Sequence, residues 1–312
     1  MIKAFAPATV SNVAVGFDIM GFPMEAPGDE VVIKLGKAPG VTISKITKGK
    51  GLSYDPIKNT AGVAVLKMME YLGISNQSID IEIRKKMPFG TGIGSSAASA
   101  VAAVVALNHY LDAKLSKQEL LPFAMAGESV ASGAWHGDNV IPSMMGGIIL
   151  IRDNATLDFT KLYVPSGLRY VVILPPVQIL TSDSRSILSD QVTLKQMITQ
   201  TGNAATLVAA LYSSDFNKIS RCLQDVIIEP QRSHLIPKFD KMKQKALELG
   251  ALGFSISGSG PSMFALCSNT FASDNIVEAA KELYGKDRHG RDAAKVYQAP
   301  INLEGAEVCY NQ

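Results

Sequence analysis

The chain has 312 residues, and its 30 Lys+Arg against 28 Asp+Glu leave a formal net charge of +2. That length can bury a large core and suggests two lobes, while the near balance of charge offers no long-range attraction to nucleic acid or to an anionic membrane. Three scattered cysteines, Cys222, Cys267 and Cys309, argue against a disulfide framework or a zinc cluster, and the absence of a leader or of a run of about 18 apolar residues makes a soluble cytoplasmic protein the expectation.

In chain order, residues 30–35 read as a strand and residues 60–72 as a helix stopped by Gly73. Residues 79–84 alternate apolar and polar, as a half-buried strand does, and residues 99–111 are apolar nearly all round, as a buried helix is. Ser116 and Glu119 form a capping box that opens another helix. The pattern breaks over residues 153–167. Beyond it come a buried strand at 169–174 ended by Pro175 and Pro176, helical stretches between 188 and 223, a helix at 238–249, and a strand at 263–267. We place a lobe boundary near residue 165, giving lobes 1–165 and 166–312; the residue patterns alone establish mixed α and β in two lobes.

Between the strand at 79–84 and the buried helix lies Met87-Pro88-Phe89-Gly90-Thr91-Gly92-Ile93-Gly94-Ser95-Ser96-Ala97-Ala98. Glycines at alternate positions let backbone N–H groups crowd around an anion without Cβ obstruction. The helix behind them adds its unpaired N–H groups and partial positive charge. Glycine-rich turns of this kind also serve packing alone. A Walker A loop would carry a lysine before Ser95, and a dinucleotide fingerprint would call for an early strand and an acidic residue about 20 positions on; neither pattern fits.

The segment does resemble the second motif of the GHMP kinases, which usually reads Pro-x-x-x-Gly-Leu-Gly-Ser-Ser-Ala, with Ile93 in place of the leucine. Residues 6–21, including Ser11-Asn12 and Gly16-Phe17-Asp18, are similar to the first motif, and residues 254–262, with Ser257-Gly258-Ser259-Gly260, to the third. All three stand in the family's order, and the resemblance covers essentially the whole chain. Within the superfamily, His136-Gly137-Asp138-Asn139-Val140-Ile141-Pro142, with Glu128 eight residues before the histidine, resembles the homoserine kinases. So do residues 181–185 and 229–237, which there bring arginines to the amino-acid substrate.

The resemblance implies an α+β, two-lobed GHMP kinase fold with a ribosomal protein S5 domain 2-like N-terminal lobe and a ferredoxin-like C-terminal lobe. It also implies ATP and Mg²⁺ as cofactors, L-homoserine as substrate, a step of threonine biosynthesis, and a homodimer. The phosphate cradle would be Pro88, Phe89, Gly90, Thr91, Gly92, Ile93, Gly94, Ser95, Ser96 and Ala97. Ser96 and Glu128 match the family's metal ligands, although a helix glutamate is otherwise most often a solvated one. Homoserine presents an ammonium, a carboxylate and a hydroxyl, and a pocket must pair all of them because unpaired buried charge is costly. Arg185 and Arg232 suit the carboxylate, since a planar guanidinium grips two oxygens. Asp18 would take the ammonium, with Asn12, His136, Thr181 and Gly258 around it, and Asn139 would hold the reacting hydroxyl.

Asn59 lies where relatives bring polar groups to adenine, but Asn before Thr60 is equally a helix start. His136 is read as a substrate ligand rather than a base, and the site is expected to work without a conventional base, Asp138 included. Two other readings stay open on the sequence: a GHMP kinase for another alcohol, such as mevalonate or a cytidyl-diphospho sugar alcohol, and a silent nucleotide-sensing member of the fold. An isoprenoid acceptor has no ammonium for Asp18, and the phosphate loop and Glu128 are intact, so homoserine phosphorylation is the expected activity.

Overall fold

The computed structural model describes residues 1–49, 51–87, 90–133, 135–179 and 181–310. In chain order the elements are β1 (Ile2–Ser11), β2 (Met20–Leu35), β3 (Val41–Thr47), α1 (Thr60–Tyr71), β4 (Ile79–Arg84), α2 (Ser95–Tyr110), α3 (Lys117–Ser132), α4 (Val140–Met145), β5 (Ile148–Asp153) and β6 (Asp158–Leu162). They continue as β7 (Arg169–Leu174), α5 (Thr181–Ser186), α6 (Leu194–Ser213), α7 (Phe216–Cys222), α8 (Glu229–Arg232), α9 (Phe239–Glu248), β8 (Gly253–Ile256), β9 (Met263–Cys267), α10 (Thr270–Tyr284), β10 (Lys295–Pro300) and β11 (Glu307–Val308).

The strands form two sheets. The first runs β11-β1-β2-β4-β3, with β5 on the far end of β2 and β6 on β5; the second runs β10-β7-β9-β8, all antiparallel. Numbered within its own half, the second sheet has the order 4-1-3-2 of a ferredoxin-like lobe, with α9 and α10 packed on it. The sheets change over between Leu162 and Arg169, where we propose the lobe division, while β11 crosses back to pair with β1. One expectation is corrected here. The segment read as a break at 153–167 contains β6, an edge strand whose Asp158, Thr160 and Lys161 are exposed, so it shows no apolar alternation for a sequence reading to find.

The helices of the first half meet closely enough to set the site. In α2, every residue from Ala97 to Leu107 is buried, and its alanines keep α1 and α3 near. At Gly127 of α3 an added Cβ would stand 2.4 Å from the carbonyl oxygen of Thr60 and 3.0 Å from the Cβ atoms of Ala64 and Ala100. Only glycine allows that approach, and the next residue is Glu128. The capping box of Ser116 and Glu119 fixes where α3 begins.

The two sheets are joined by aromatic packing. Phe22 of β2 lies 5.9 Å from the Tyr170 ring of β7 and 6.1 Å, edge-on, from Phe264 of β9. The Tyr170 hydroxyl also accepts the backbone N–H of Glu25 at 2.9 Å. All three rings are essentially buried, so the joint is a continuous piece of core. Phe22→Ala is expected to lower unfolding stability by about 3–5 kcal/mol, measured by chemical denaturation; a loss below about 1 kcal/mol would mean that the sheets are held together elsewhere.

Candidate active site

The glycine loop enters α2 with Gly90, Gly92 and Gly94 at φ of 68°, 74° and 66°, in the left-handed region that suits glycine. No side chain caps α2, which leaves the N–H groups of its first turn available to an anion. A Cβ on Gly94 would stand 2.1 Å from the Thr9 hydroxyl and 2.8 Å from Asn139 Oδ1. The loop is braced from the other lobe by the turn between β8 and β9. There Ser257 Oγ donates to the Gly92 carbonyl at 3.0 Å, and the Ser262 N–H donates to that of Thr91 at 3.2 Å.

The turn after β1 carries Asn12 and Asp18, both at positive φ. Asn12 is an internal strut: its Oδ1 accepts the Asp18 N–H at 3.1 Å and its Nδ2 donates to the Gly258 carbonyl at 3.0 Å. Asn139 accepts the Thr9 hydroxyl on Oδ1 at 2.6 Å. That bond fixes the carboxamide so that Nδ2 is its donor edge.

Opposite the loop, Arg185 grips Asp18 with two parallel bonds of 2.9 and 3.0 Å, and His136 Nε2 lies 3.7 Å from Asp18 Oδ2. Arg232 is 3% exposed and donates Nε to the Ser184 carbonyl at 2.8 Å and NH1 to the Gly258 carbonyl at 3.3 Å. Both guanidiniums stand over one ring, Phe17, at 5.6 and 5.3 Å from its centroid. The Asp18 carboxylate raises the Arg185 pKa. Burial, with the Arg185 charge adding to it, lowers that of Arg232 to about 10. Thr181 Oγ1 and Ser259 Oγ are 3.3 Å apart, and Ser184 Oγ donates to the Ser259 carbonyl at 2.7 Å, which ties α5 to the same turn.

One cleft of about 310 Å³ is lined by Asn12, Asp18, residues 90–96, Glu128, His136, Asn139, Thr181, Arg185, Arg232 and Gly258. The structure therefore brings together the expected substrate residues, both expected metal ligands and residues 90–96 of the cradle. Pro88 and Phe89 lie outside the described residues. Ala97 does not line the cleft and is buried in the core. Asn59 is not in the lining either: it caps α1 by accepting the N–H groups of Ala61 and Gly62, and it donates to the Ser53 carbonyl at 2.9 Å. The sequence reading passed over Phe17 and Ser11, which also line the cleft; Phe17 stood inside the first motif, but an uncharged ring there gave no sign of a cation platform.

Two buried carboxyls face the cleft. Burial raises the Glu128 pKa to about 7, against a hydrogen bond from Ser96 that lowers it, and Asp138 raises it further. Burial likewise raises Asp138 to about 7, with the Asp18 charge adding to the rise and the Ser11 hydroxyl opposing it. Each carboxyl holds its proton more tightly in the folded state than in the unfolded chain. Their contribution to stability is therefore full below the unfolded pKa values and is lost as pH rises through about 7. Asp138→Asn removes one such group. Its stabilisation of the ligand-free protein is expected to be larger at pH 8 than at pH 5 by about 1–3 kcal/mol, read from denaturant midpoints; an equal effect at both pH values would contradict the assignment.

The family model described as GHMP kinases N terminal domain matches residues 59–147, and the one described as GHMP kinases C terminal matches residues 207–286. A homoserine kinase from Chloroherpeton thalassium is 40% identical, with 98% of this chain and 99% of the relative covered. One from Chlorobium phaeobacteroides is 41% identical at 98% and 99% coverage. The crystal structure of homoserine kinase from Cytophaga hutchinsonii matches with a TM-score of 0.93 at 48% identity, covering 99% of this chain and 97% of that one. The L. major mevalonate kinase structure, at 17% identity and a TM-score of 0.70, shares the fold alone. Sequence motifs, sheet order and these likenesses converge, and the chain belongs to the GHMP kinases, in the homoserine kinase family.

Proposed function

We propose that this protein transfers the γ-phosphoryl group of ATP to the side-chain hydroxyl of L-homoserine, giving O-phospho-L-homoserine and ADP. The observation that carries the reading is the cleft itself, in which an uncapped helix N-terminus faces a carboxylate and two guanidiniums. The first suits phosphate; the second suits an amino-acid zwitterion. Phosphoryl transfer asks a protein mainly for positioning and charge stabilisation, and both are available across a single cavity.

In the structure Asp18 and Arg185 pair with each other. A zwitterion can replace that pair by giving its ammonium to Asp18 and its carboxylate to Arg185 and Arg232, so one ion pair is exchanged for two. A ligand with only one of the two charges would break the pair and leave one member without a partner. Asn139, held by Thr9, would present its Nδ2 to the acceptor hydroxyl.

The residues present also fit a magnesium ion. Among the described residues no cluster of three or more His, Cys, Asp or Glu forms a closed cage. Magnesium commonly takes only one or two protein oxygens and completes its shell from phosphates and water. The Ser96 hydroxyl, which lowers the Glu128 pKa, and the Glu128 carboxylate, both on the cleft wall, would hold it; when bound, it would neutralise charge on the phosphoryl oxygens. A cytoplasmic location and a homodimer belong to the same proposal; the free cysteines Cys222, Cys267 and Cys309 support the first.

The reading is tested by ADP release with ATP and Mg²⁺, comparing L-homoserine, mevalonate, galactose and no acceptor. Release is expected to require L-homoserine, and release with mevalonate alone would overturn the substrate. Arg185→Lys, which cannot form the two-point grip, is expected to raise the L-homoserine KM at least about tenfold while leaving that for MgATP within about threefold. A second reading, in which Asp138 takes the hydroxyl proton as general base, is favoured by one observation: its burial in the cleft and raised pKa of about 7. Asp138→Asn separates the two. The base-free reading expects kcat within about tenfold of wild type; a general base expects a loss of about 10²–10⁴-fold and a pH profile without its acidic limb.

A further inference from the structure

Beneath the glycine loop lies a buried ion pair that none of the chemistry above uses. Lys85, just after β4, is 5% exposed, and Asp29 of β2 is fully buried. The Lys85 ammonium bonds to the Asp29 carboxylate and donates to the Ser95 carbonyl oxygen and to Ser99 Oγ, each at 2.8 Å. Its three protons are thereby all placed. Asp29 in turn accepts the backbone N–H of Lys86 at 2.9 Å, the Ser99 hydroxyl at 3.0 Å and the Ser95 hydroxyl at 3.4 Å.

These bonds go to two places only. Lys85 and Lys86 are where the chain enters the loop; Ser95 and Ser99 are in the first two turns of α2, where it leaves. One carboxylate and one ammonium thus hold both flanks of the loop to a single buried point in the first sheet. A buried ion pair is weak evidence for a stabilising role, because apolar residues of similar volume often do as well or better. Apolar residues could not hold an entering N–H, a departing carbonyl and two hydroxyls at once.

We propose that the Lys85–Asp29 pair is a positioning device for the phosphate loop, setting the spacing and direction of the N–H groups that receive the nucleotide. The ammonium on the Ser95 carbonyl adds to this. That oxygen and the Ser96 N–H belong to one trans peptide and point in opposite directions, so charge drawn to the oxygen makes the N–H on the loop side a stronger donor. The device acts on the nucleotide half of the cleft and leaves the Asp18, Arg185 and Arg232 half untouched. It rests on the reading of the loop as a nucleotide site.

The test must avoid stranding one buried charge, so both are neutralised together in Lys85→Gln with Asp29→Asn. Ser99→Ala, which keeps both charges and removes the hydroxyl that bonds to each of them, is the milder companion. The double variant is expected to raise the MgATP KM and the MgADP dissociation constant at least about tenfold, with the L-homoserine KM within about threefold; Ser99→Ala is expected to shift the nucleotide constants about two- to fivefold in the same direction. If the double variant does not fold, as judged by its thermal transition, Ser99→Ala decides alone. Nucleotide binding within about twofold of wild type in the folded variants, or equal weakening of both substrates, would overturn the proposal. Failure of the wild-type protein itself to bind MgADP would instead overturn the nucleotide reading of the loop.

Discussion

A cleft that carries buried charges of both signs must pair them within itself, and here that requirement is met by one interaction, the two-point pair of Arg185 with Asp18. Without it the carboxylate at the end of the first motif would face Asp138, and Arg185 would stand beside Arg232. The pair keeps two like-charge conflicts in balance. The Phe17 ring, under both guanidiniums, holds them in place without adding charge. The surrounding elements serve this arrangement. Asn12 binds the first motif to Gly258, and α5 is tied to the same turn through Ser184 and Ser259.

The nucleotide side is organised on the opposite plan. The N-terminus of α2 that faces it is left without a side-chain cap. Rigidity comes from behind and from across the cleft, through the Lys85–Asp29 pair in the first sheet and the Ser257 and Ser262 bonds from the second. Asn139 stands at the seam between the two halves. Its bond to Thr9 and the tight approach of Gly94 fix its carboxamide between the loop and the Asp18–Arg185 pair, where the proposed reaction needs a donor for the acceptor hydroxyl. Pre-organisation of this kind costs no rearrangement at the moment of reaction.

Much of this was legible in the sequence wherever chemistry and local pattern coincide. The glycines at alternate positions announced a left-handed loop, and Ser116 with Glu119 announced the start of α3. The arginines and Asp18 could be placed through the family motifs. Other features were not legible, for physical reasons. The edge strand β6 buries too little to leave an apolar period. Asn59 offered the same signal for a helix cap as for a base contact, and the structure spends its carboxamide on the cap. The Asp18–Arg185 bond spans 167 positions and the Lys85–Asp29 bond 56; the second follows from the register of β2 on β4, with Glu30 opposite Arg84, and the first from the packing of α5 against the turn after β1, and residue patterns reveal neither.

The central claim is that the cleft selects a zwitterion by exchanging its internal ion pair for two new ones. Calorimetric titration of the protein with L-homoserine, 4-hydroxybutanoate and 3-aminopropan-1-ol tests it most directly, because the last two each lack one charge of the first. The account expects both analogues to bind at least about 100-fold more weakly than L-homoserine, as each leaves Asp18 or Arg185 unpaired. Binding of either analogue within about tenfold of L-homoserine would mean that the pair is not exchanged on binding, and would contradict the account.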